Sequence, residues 1–259
     1  MASYGTTYRD NSGKTIGAVE SQFKENFPDW DIRRAFTSRF VIKLLEQRYG
    51  EKVDYITGAL DKLIDDGVKT VIIQPTLIMN GKEYDFIKES VSLYRDRFDS
   101  FTLGRPLLTK IEDYDRVVDF IASSLLIEAK KIAGDRTAVI LMGHGAEHHA
   151  NSSYSQLYLK LLLSGYPDVF VTTVEGFPDY EDTIALMKGS NYKDVVLFPF
   201  MFVAGDHANN DLAGDDKNSL KPILEEYGYK VHCVVKGLGE YKEFRDLFIT
   251  YAEEIIKSS

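Results

Sequence analysis

Short hydrophobic runs alternate along the chain with longer segments in which apolar residues recur every three or four positions. The short runs predict β-strands at 31–36, 70–74, 100–103, 137–142, 169–174, 194–199 and 230–235. The longer segments predict helices, for example at 55–65, 83–97, 113–132, 152–163 and 241–257. Strands that alternate with helices are typical of parallel sheets covered by helices on both faces. Most of these strand runs are continuously apolar, as strands buried on both faces are.

Part of this pattern occurs twice. The stretch that ends at Glu83 resembles the stretch that ends at His207, with a proline and a glycine at matching positions. A shorter match places Tyr4 opposite His144. We therefore predict an α/β protein of two similar Rossmann-like lobes, each a parallel four-stranded sheet flanked by helices.

The repeat also predicts how the chain is divided. We expect an N-terminal α/β lobe at 1–130 and a C-terminal α/β lobe at 131–240. Only two residues precede the Ser-Tyr-Gly stretch that matches Gly-His-Gly in the second lobe. The first strand is therefore predicted to be truncated, and we expect the natural protein to have several more apolar residues at its start.

Composition narrows the classes of function. The chain has 259 residues, of which 44% are hydrophobic, enough for one large domain or two of ordinary size. Its net charge of −9 argues against general nucleic-acid binding, which needs a basic face. The one cysteine, Cys233, excludes an intrachain disulfide and a thiolate metal cluster. Neither a run of about 18 apolar residues nor a signal-peptide pattern occurs, so we expect no membrane span and a cytoplasmic location.

Three potential metal ligands follow predicted strands of the second lobe. His144 comes directly after a buried strand and lies between two glycines, which permit a sharp turn and the close approach of a ligand. His207 and Glu175 follow two further strands, and ligands bind at the carboxyl ends of parallel strands. Two imidazoles and a carboxylate suit a divalent first-row metal, and neutral imidazole also serves as a base near pH 7. Plainer interpretations stay open, in which the histidines are solvated loop residues and Glu175 and Glu83 cap helices.

The other histidines favour structural interpretations. His148 and His149 fit a solvated loop or the start of a helix, and His232 lies inside a strand run. An acidic loop from Asp206 onward would draw in a cation or simply be solvated. The sequence contains neither a nucleotide-binding glycine motif nor the HExxH motif of zinc proteases.

Several stretches resemble the anaerobic sirohydrochlorin cobalt chelatases. They are Gly-His-Gly-Ala-Glu-His-His-Ala-Asn at 143–151, Val-Ala-Gly-Asp-His-Ala-Asn-Asn-Asp at 203–211, Ser-Tyr-Gly-Thr-Thr-Tyr at 3–8, Arg-Ala-Phe-Thr-Ser at 34–38, Asn-Gly-Lys-Glu-Tyr at 80–84 and Gly-Leu-Gly-Glu at 237–240. The resemblance runs nearly from end to end. The Ala-Gly-Asp-His-Ala stretch is specific, whereas the Gly-His-Gly turn alone is less so.

The resemblance implies a bilobal fold similar to that of protoporphyrin ferrochelatase, with a tetrapyrrole cleft and the helix at 241–257 packed back on the first lobe. The implied reaction is insertion of Co²⁺ into sirohydrochlorin, with loss of two pyrrole protons, in anaerobic cobalamin biosynthesis. Carried over by position, His144 is implied as proton acceptor and metal ligand, with Glu175 and His207 as further ligands. Glu83 matches an acidic position of the family and is implied in catalysis, through metal delivery or proton removal.

The implied substrates are sirohydrochlorin and a divalent metal. Sirohydrochlorin is rich in carboxylates, and Tyr4, Arg9 and Arg39 are our candidates for substrate binding. Co²⁺ is the expected metal, although a site of histidine and glutamate also accepts Fe²⁺, Ni²⁺ or Zn²⁺. Some periplasmic relatives carry haem through an extra histidine in the first lobe. No histidine precedes His144 here, so we expect no haem. Apolar helix faces would permit a homo-oligomer.

Two other functions stay open. One keeps the family but changes the metal, giving an iron or nickel chelatase that acts on sirohydrochlorin. The other is a non-catalytic carrier of a tetrapyrrole or a metal, which would need no base. Two imidazoles and a carboxylate around one point favour the chelatase over the carrier.

Overall fold

A computed structural model of the chain describes residues 1–258. Contacts divide the chain into two compact units. The first comprises Met1–Thr109 and the chain from Phe244 onward, and the second comprises Lys110–Glu243. Residues 110–130, which the sequence pattern assigned to the first lobe, make their contacts in the second unit. This division by contacts does not define the predicted lobes, and their limits of 1–130 and 131–240 stay a prediction.

The first unit has four short parallel strands in two pairs. They are β1 (Ala2–Ser3), β2 (Ala35–Phe36), β3 (Thr70–Ile73) and β4 (Ser100–Leu103). β1 pairs with β2, and β3 pairs with β4. A parallel bridge between Ala2 and Pro75 connects the two pairs.

The four-stranded sheet predicted for this unit is therefore split into two-stranded sheets. The cause is the length of β1, whose two residues pair only with Ala35 and Phe36 on one side and bridge to Pro75 on the other. The predicted strand at 31–36 shortens to Ala35–Phe36 for the same reason, because a strand extends only as far as its neighbour does.

A cavity that is partly open to solvent lies beside these strands in the first unit. This apolar cavity of about 160 Å³ is lined by Ala2, Ala35, Val71 and Ile73 among others. Side chains that face a void lose dispersion contacts on that side. The packing around β1 and β3 is therefore looser than in a filled core.

Helices flank the strands of the first unit. They are α1 (Arg9–Ser12), which continues through a π-helical turn (Gly13–Gly17) into α2 (Ala18–Asn26), then α3 (Arg39–Tyr49), α4 (Ile56–Asp65) and α5 (Lys82–Ser92). The predicted helices at 55–65 and 83–97 are confirmed, although the second is shorter. Local signals fix the ends of α3. The Ser38 hydroxyl accepts a hydrogen bond from the Val41 N–H at 3.3 Å, and Gly50 ends the helix with φ +64°.

The second unit contains one continuous sheet of four parallel strands. They are β5 (Thr137–Gly143), β6 (Val169–Thr173), β7 (Asp194–Pro199) and β8 (Lys230–Cys233). Their order across the sheet is β6-β5-β7-β8, and all seven residues of β5 are buried. This sheet confirms the predicted α/β class and the reading of continuously apolar runs as strands covered on both faces.

The helices predicted at 113–132, 152–163 and 241–257 lie close to their predicted limits, and the second unit has two further helices. The helices of the second unit are α6 (Ile111–Phe120), which continues through a π-helical turn (Ile121–Leu125) into α7 (Leu126–Ala133), then α8 (Ser152–Leu163), α9 (Tyr180–Met187) and α10 (Leu220–Glu226). The last helix described is α11 (Lys242–Ser258). α11 belongs mainly to the first unit, where the Tyr251 hydroxyl donates to the Leu107 carbonyl at 3.1 Å. None of the helices within residues 1–258 is long and apolar enough to cross a membrane.

The strand registers of the two units correspond. Ala2 bridges to Pro75 as Met142 pairs with Pro199. β1 therefore occupies in the first unit the place that β5 occupies in the second. Residues that follow these strands occupy matching places, in agreement with the sequence repeat.

Candidate metal-binding site

Three neighbouring strands of the second sheet end beside one another. β5 is followed at once by His144, β6 is followed by Glu175, and β7 leads into the segment that carries His207. Because β5 lies between β6 and β7, these side chains meet at one edge of the sheet. The structure thus brings together the three residues that the sequence pattern selected.

The two imidazoles are in contact. The ring centroids of His144 and His207 lie 4.4 Å apart, with the ring planes at 82°. Glu175 Oε2 lies 4.0 Å from His144 Nδ1. All three side chains are partly exposed, so the edge is accessible to a ligand.

The Glu175 carboxylate does not form a ready three-ligand site with the two imidazoles. Among the residues that the structure describes, no three His, Cys, Asp or Glu side chains form a group that could hold a metal ion as they stand. The Glu175 side chain is 63% exposed and approaches His144 on its Nδ1 side. The imidazole pair is therefore preformed, whereas a third ligand requires a side-chain rotation.

Both imidazoles use Nδ1 to contact the protein. His144 Nδ1 lies 3.0 Å from the Gly145 carbonyl oxygen, and His207 Nδ1 lies 2.7 Å from Asp211 Oδ2. A carbonyl and a carboxylate only accept hydrogen bonds, so each neutral ring donates from Nδ1 and has its lone pair on Nε2. A lone pair on Nε2 is the group that binds a metal ion or a proton.

Two glycines fix the turn that carries His144. A Cβ on Gly143 would lie 2.2 Å from the ring of Tyr154, and Gly145 has φ +79°. A Cβ on Gly145 would lie 2.7 Å from the backbone of Glu175, whose N–H donates to the His144 carbonyl at 2.8 Å. The turn is thus enclosed between α8 and the loop after β6, which accounts for the Gly-His-Gly stretch.

Tyr154 supports this turn from the core. Its side chain is buried, and the backbone N–H groups of Gly145 and His144 donate towards its hydroxyl oxygen. Burial raises the pKa of Tyr154 to about 12, because the ionised form would lose its hydration. The sequence pattern gave no sign that this tyrosine contacts the site.

Asn151 joins two loops of the site, and we did not predict a functional position for it. Its Oδ1 accepts from the Ala146 N–H at 3.0 Å, and its Nδ2 donates to the Phe177 carbonyl at 2.7 Å. The first bond holds the turn that carries His144, and the second holds the loop after β6. Asn151 matches Asn11 in the shorter repeat, which also places Tyr4 opposite His144, and this match was the available signal.

The other three histidines make contacts away from this pair. His148 Nδ1 accepts from the Ala150 N–H at 3.2 Å, and the rings of His148 and His149 lie 4.0 Å apart at a short helical turn. His232 lies in β8 and contacts Asp194 Oδ1 through Nε2 at 2.7 Å. The structural roles predicted for these three histidines stay predictions.

Predicted residues of the first unit gather at the corresponding edge of its strands. The Ser38 N–H donates to the Tyr4 carbonyl at 3.3 Å. The Thr37 hydroxyl donates to Glu83 Oε2, also at 3.3 Å. Tyr4 and Glu83 thus follow β1 and β3 as His144 follows β5, although their roles in the reaction stay predictions.

The two predicted arginines already have protein partners. The Arg9 guanidinium lies 5.0 Å from the ring centroid of Tyr49, and its Nε lies 3.7 Å from Glu51. The Arg39 guanidinium lies 3.8 Å from the ring centroid of Tyr55. Such cation–π contacts leave the outer N–H groups able to bind an anion. Their role in substrate binding stays a prediction.

The fold and the imidazole pair define the class of protein. A solved structure with a similar fold is SirB from Bacillus subtilis with Fe³⁺, with a TM-score of 0.63. The match covers 98% of this chain and 92% of that one at 12% identity, which shows the fold alone. The molecule is thus an α/β protein of the chelatase-like fold with two histidines at the end of its sheet.

The family follows from the sequence comparisons. The family model described as Cobalt chelatase (CbiK) matches residues 1–257, and the chain belongs to this family. It is 36% identical over 258 residues to the sirohydrochlorin cobaltochelatase of Salmonella typhimurium (strain LT2), covering 99% of this chain and 95% of that protein. It is 31% identical over 253 residues to the sirohydrochlorin cobaltochelatase CbiKC of Nitratidesulfovibrio vulgaris (strain Hildenborough), covering 97% and 87%. The resemblance read from the motifs is confirmed.

Proposed function

We propose that this protein inserts Co²⁺ into sirohydrochlorin during cobalamin biosynthesis. Membership of the cobalt chelatase family supports the reaction, and the names of the two relatives support the substrate. The observation that carries the proposal is the contact between His144 and His207 at the sheet edge that also carries Glu175.

The reaction sets two requirements for the protein. Co²⁺ replaces two pyrrole N–H protons of the macrocycle, so the charge balances when both protons leave. The protein must hold a cation without trapping it and must accept protons beside it. Neutral imidazole meets both requirements, and a pair of imidazoles allows one to hold the metal while the other takes a proton.

The geometry supports a division of roles. His144 and His207 would offer Nε2 to Co²⁺, since Nδ1 of each ring contacts the protein. Rotation of the exposed Glu175 side chain would supply the carboxylate ligand. His144 is our choice for the proton acceptor, as the family resemblance implies. Its Nε2 has a single lone pair, so it would hold Co²⁺ and accept a pyrrole proton in different steps. Glu83 would assist metal delivery or proton removal.

The remaining assignments concern the ring and the surroundings. Tyr4, Arg9 and Arg39 are proposed to contact the carboxylates of sirohydrochlorin. Fe²⁺, Ni²⁺ and Zn²⁺ are alternative metals that a site of this composition accepts. A cytoplasmic location, a homo-oligomer and the absence of haem stay predictions.

The test is anaerobic insertion of Co²⁺ into sirohydrochlorin, followed by absorbance. We expect His144→Ala to slow insertion by about 100-fold or more, because metal binding and proton transfer both fail. Glu175→Gln is expected to slow it by roughly 10-fold, since one ligand of three is weakened. His149→Ala is the matched control and should retain the wild-type rate. Ring binding, followed by titration of the absorbance, should persist in all three variants.

Each alternative function gives a different result. A wild-type protein that binds the ring but inserts Co²⁺ no faster than buffer is a carrier. Faster insertion of Fe²⁺ or Ni²⁺ than of Co²⁺ would change the metal and retain the chelatase.

A further inference from the structure

Asp211 contacts one imidazole of the candidate site and has no role in the proposal above. Its Oδ2 lies 2.7 Å from Nδ1 of His207. His207 directly precedes a π-helical turn, Ala208–Leu212, and Asp211 lies four residues later within that turn. The two side chains are therefore brought together by local backbone geometry.

The turn that presents Asp211 is fixed to the second unit at several points. Ala208 and Leu212 are fully buried. The Asn210 carbonyl accepts from the Ser219 hydroxyl at 2.7 Å. Because buried side chains flank Asp211 on both sides, its carboxylate is held beside His207.

A carboxylate at Nδ1 determines which tautomer the ring adopts. An ionised carboxylate only accepts hydrogen bonds, so neutral His207 must carry its hydrogen on Nδ1. In water a neutral histidine side chain favours the tautomer with the hydrogen on Nε2, which leaves no lone pair there. Asp211 therefore reverses the preference of the free side chain and leaves Nε2 able to bind a cation.

The partners of the two imidazoles differ in charge. His144 Nδ1 lies beside a backbone carbonyl, whereas His207 Nδ1 lies beside a carboxylate. A carboxylate partner increases the electron density at the opposite nitrogen and makes it a stronger ligand. His207 is thereby the better ligand of the pair.

We propose that Asp211 is a positioning residue, which holds His207 in the tautomer with hydrogen on Nδ1 and strengthens its Nε2 as a ligand for a divalent metal. The proposal rests on the proposed function of His207 as a metal ligand. It adds a residue that acts on the metal through the imidazole.

The first measurement reads the tautomer without any metal or tetrapyrrole. Protein labelled with ¹⁵N-histidine is observed by long-range ¹H–¹⁵N spectra at a pH where the ring is neutral, and His207→Gln assigns the signals. We expect wild type to show hydrogen on Nδ1 of His207 and Asp211→Ala to show most of it on Nε2. Asp215→Ala is the matched control, since Asp215 lies on the same segment and pairs with Lys221.

The second measurement is the affinity for Co²⁺ alone, followed by the visible absorbance of the bound ion. We expect Asp211→Ala to weaken Co²⁺ binding by about 10- to 100-fold. In a His207→Ala background the same substitution should have no further effect. Asp211→Asn keeps a hydrogen-bond acceptor and should lie between wild type and Asp211→Ala, which provides a second variant if Asp211→Ala does not fold.

The outcomes separate this proposal from the proposed function. An unchanged tautomer in Asp211→Ala overturns the positioning role. A changed tautomer with unchanged Co²⁺ affinity overturns the claim that Asp211 strengthens Nε2 as a metal ligand. It also overturns the proposed role of His207 as a ligand for Co²⁺. Normal tautomer and Co²⁺ results in a protein that inserts no Co²⁺ would support Asp211 and reject the chelatase.

Discussion

The two units place equivalent residues at equivalent strand ends but build them on different sheets. In the second unit β5 is seven residues long and wholly buried between β6 and β7. In the first unit the corresponding β1 has two residues, and the strands form two pairs, joined by the Ala2–Pro75 bridge, beside a cavity. The comparison teaches that the imidazole pair lies on the more continuous support, where neighbouring strands fix the strand ends relative to each other.

The residues at the matching positions also differ in chemistry. Where the second unit has His144 and His207, the first has Tyr4 and Glu83. The hydroxyl of Thr37 contacts Glu83, whereas a carboxylate contacts His207. Two imidazoles bind a first-row metal, and a tyrosine with a glutamate does so less well. The repeat thus keeps matching positions after the strands, and the proposed metal ligands lie in the second unit.

The largest expected effect tests whether the sheets differ in packing. Ile140 in β5 is fully buried between Phe170 and Leu197, whereas Ile73 in β3 lines the cavity. We expect Ile140→Ala to lower the free energy of unfolding by about 4 kcal/mol and Ile73→Ala by about 2 kcal/mol, because a site beside a void has fewer contacts to lose. Urea unfolding by circular dichroism gives both values.

The fluorescence of Trp30, which lies in the first unit, provides a control for this comparison. It should respond to Ile73→Ala more than to Ile140→Ala if the two units unfold separately. Equal losses from the two substitutions would contradict the packing difference.

The next effect tests the matching turns. Gly145 has φ +79° and faces the Glu175 backbone, whereas Gly5 has φ +96° and faces the Phe36 side chain. We expect Gly145→Ala to lower the free energy of unfolding by about 3 kcal/mol, since positive φ and a backbone clash both oppose a Cβ. Gly5→Ala should cost about 2 kcal/mol, because a side chain adjusts more easily than backbone. Thermal and urea unfolding measure both.

The control for the turns is Gly165→Ala, at φ +87° with open space around the added Cβ. It isolates the conformational cost, expected at about 1 kcal/mol. Gly145→Ala should also slow Co²⁺ insertion. A larger loss of unfolding free energy in Gly5→Ala than in Gly145→Ala would contradict the expected difference between the two turns.

The smallest effect concerns Tyr154, which supports the turn of the second unit. Burial raises the pKa of Tyr154 to about 12 in the folded protein, above the value of about 10 expected for an unfolded chain. The neutral form is therefore favoured by folding. Burial of neutral Tyr154 therefore makes its full contribution to stability below pH 10. The free energy of unfolding should fall by roughly 2 to 3 kcal/mol as the pH rises from 10 to 12. Unfolding measured across this range should show the loss.

Tyr154→Phe removes the ionisable group. The variant should be less stable by about 1 kcal/mol below pH 10, because it lacks the hydroxyl's hydrogen bonds. Above pH 10 its stability should fall less steeply than that of wild type. Tyr49→Phe, at an exposed position of the first unit, is the control and should follow the wild-type profile. A wild-type slope in Tyr154→Phe would exclude this tyrosine as the source.

Long buried strands and amphipathic helices were predictable, but contacts between distant segments were not. The strand at 137–142 and the helix at 152–163 were found because each carries its own periodic pattern. The helical segment from Arg9 to Asn26 was not predicted, because glycines at 13 and 17 interrupt its pattern. The helix of α10 contains a proline, which weakens the same signal.

The candidate site shows the same limit at the level of single residues. His144, Glu175 and His207 were selected because each follows a strand, and strand order then placed them together. Asp211 was noted only as part of an acidic loop, and Tyr154 was not selected, since neither follows a strand directly. Their contacts depend on how a π-helical turn and α8 meet the site, which no local pattern encodes.

The sequence by itself determined the α/β class, the repeat, the three strand ends and the family, because these depend on periodicity and on short motifs. The tertiary structure alone decided that the first sheet splits into pairs, that the carboxylate of Asp211 contacts His207, and that Tyr154 packs against Gly143. The physical reason is the distance along the chain over which each kind of interaction acts. Hydrophobic periodicity acts within one element, whereas pairing length, a second hydrogen-bond partner and the space for a Cβ are fixed only when distant segments meet.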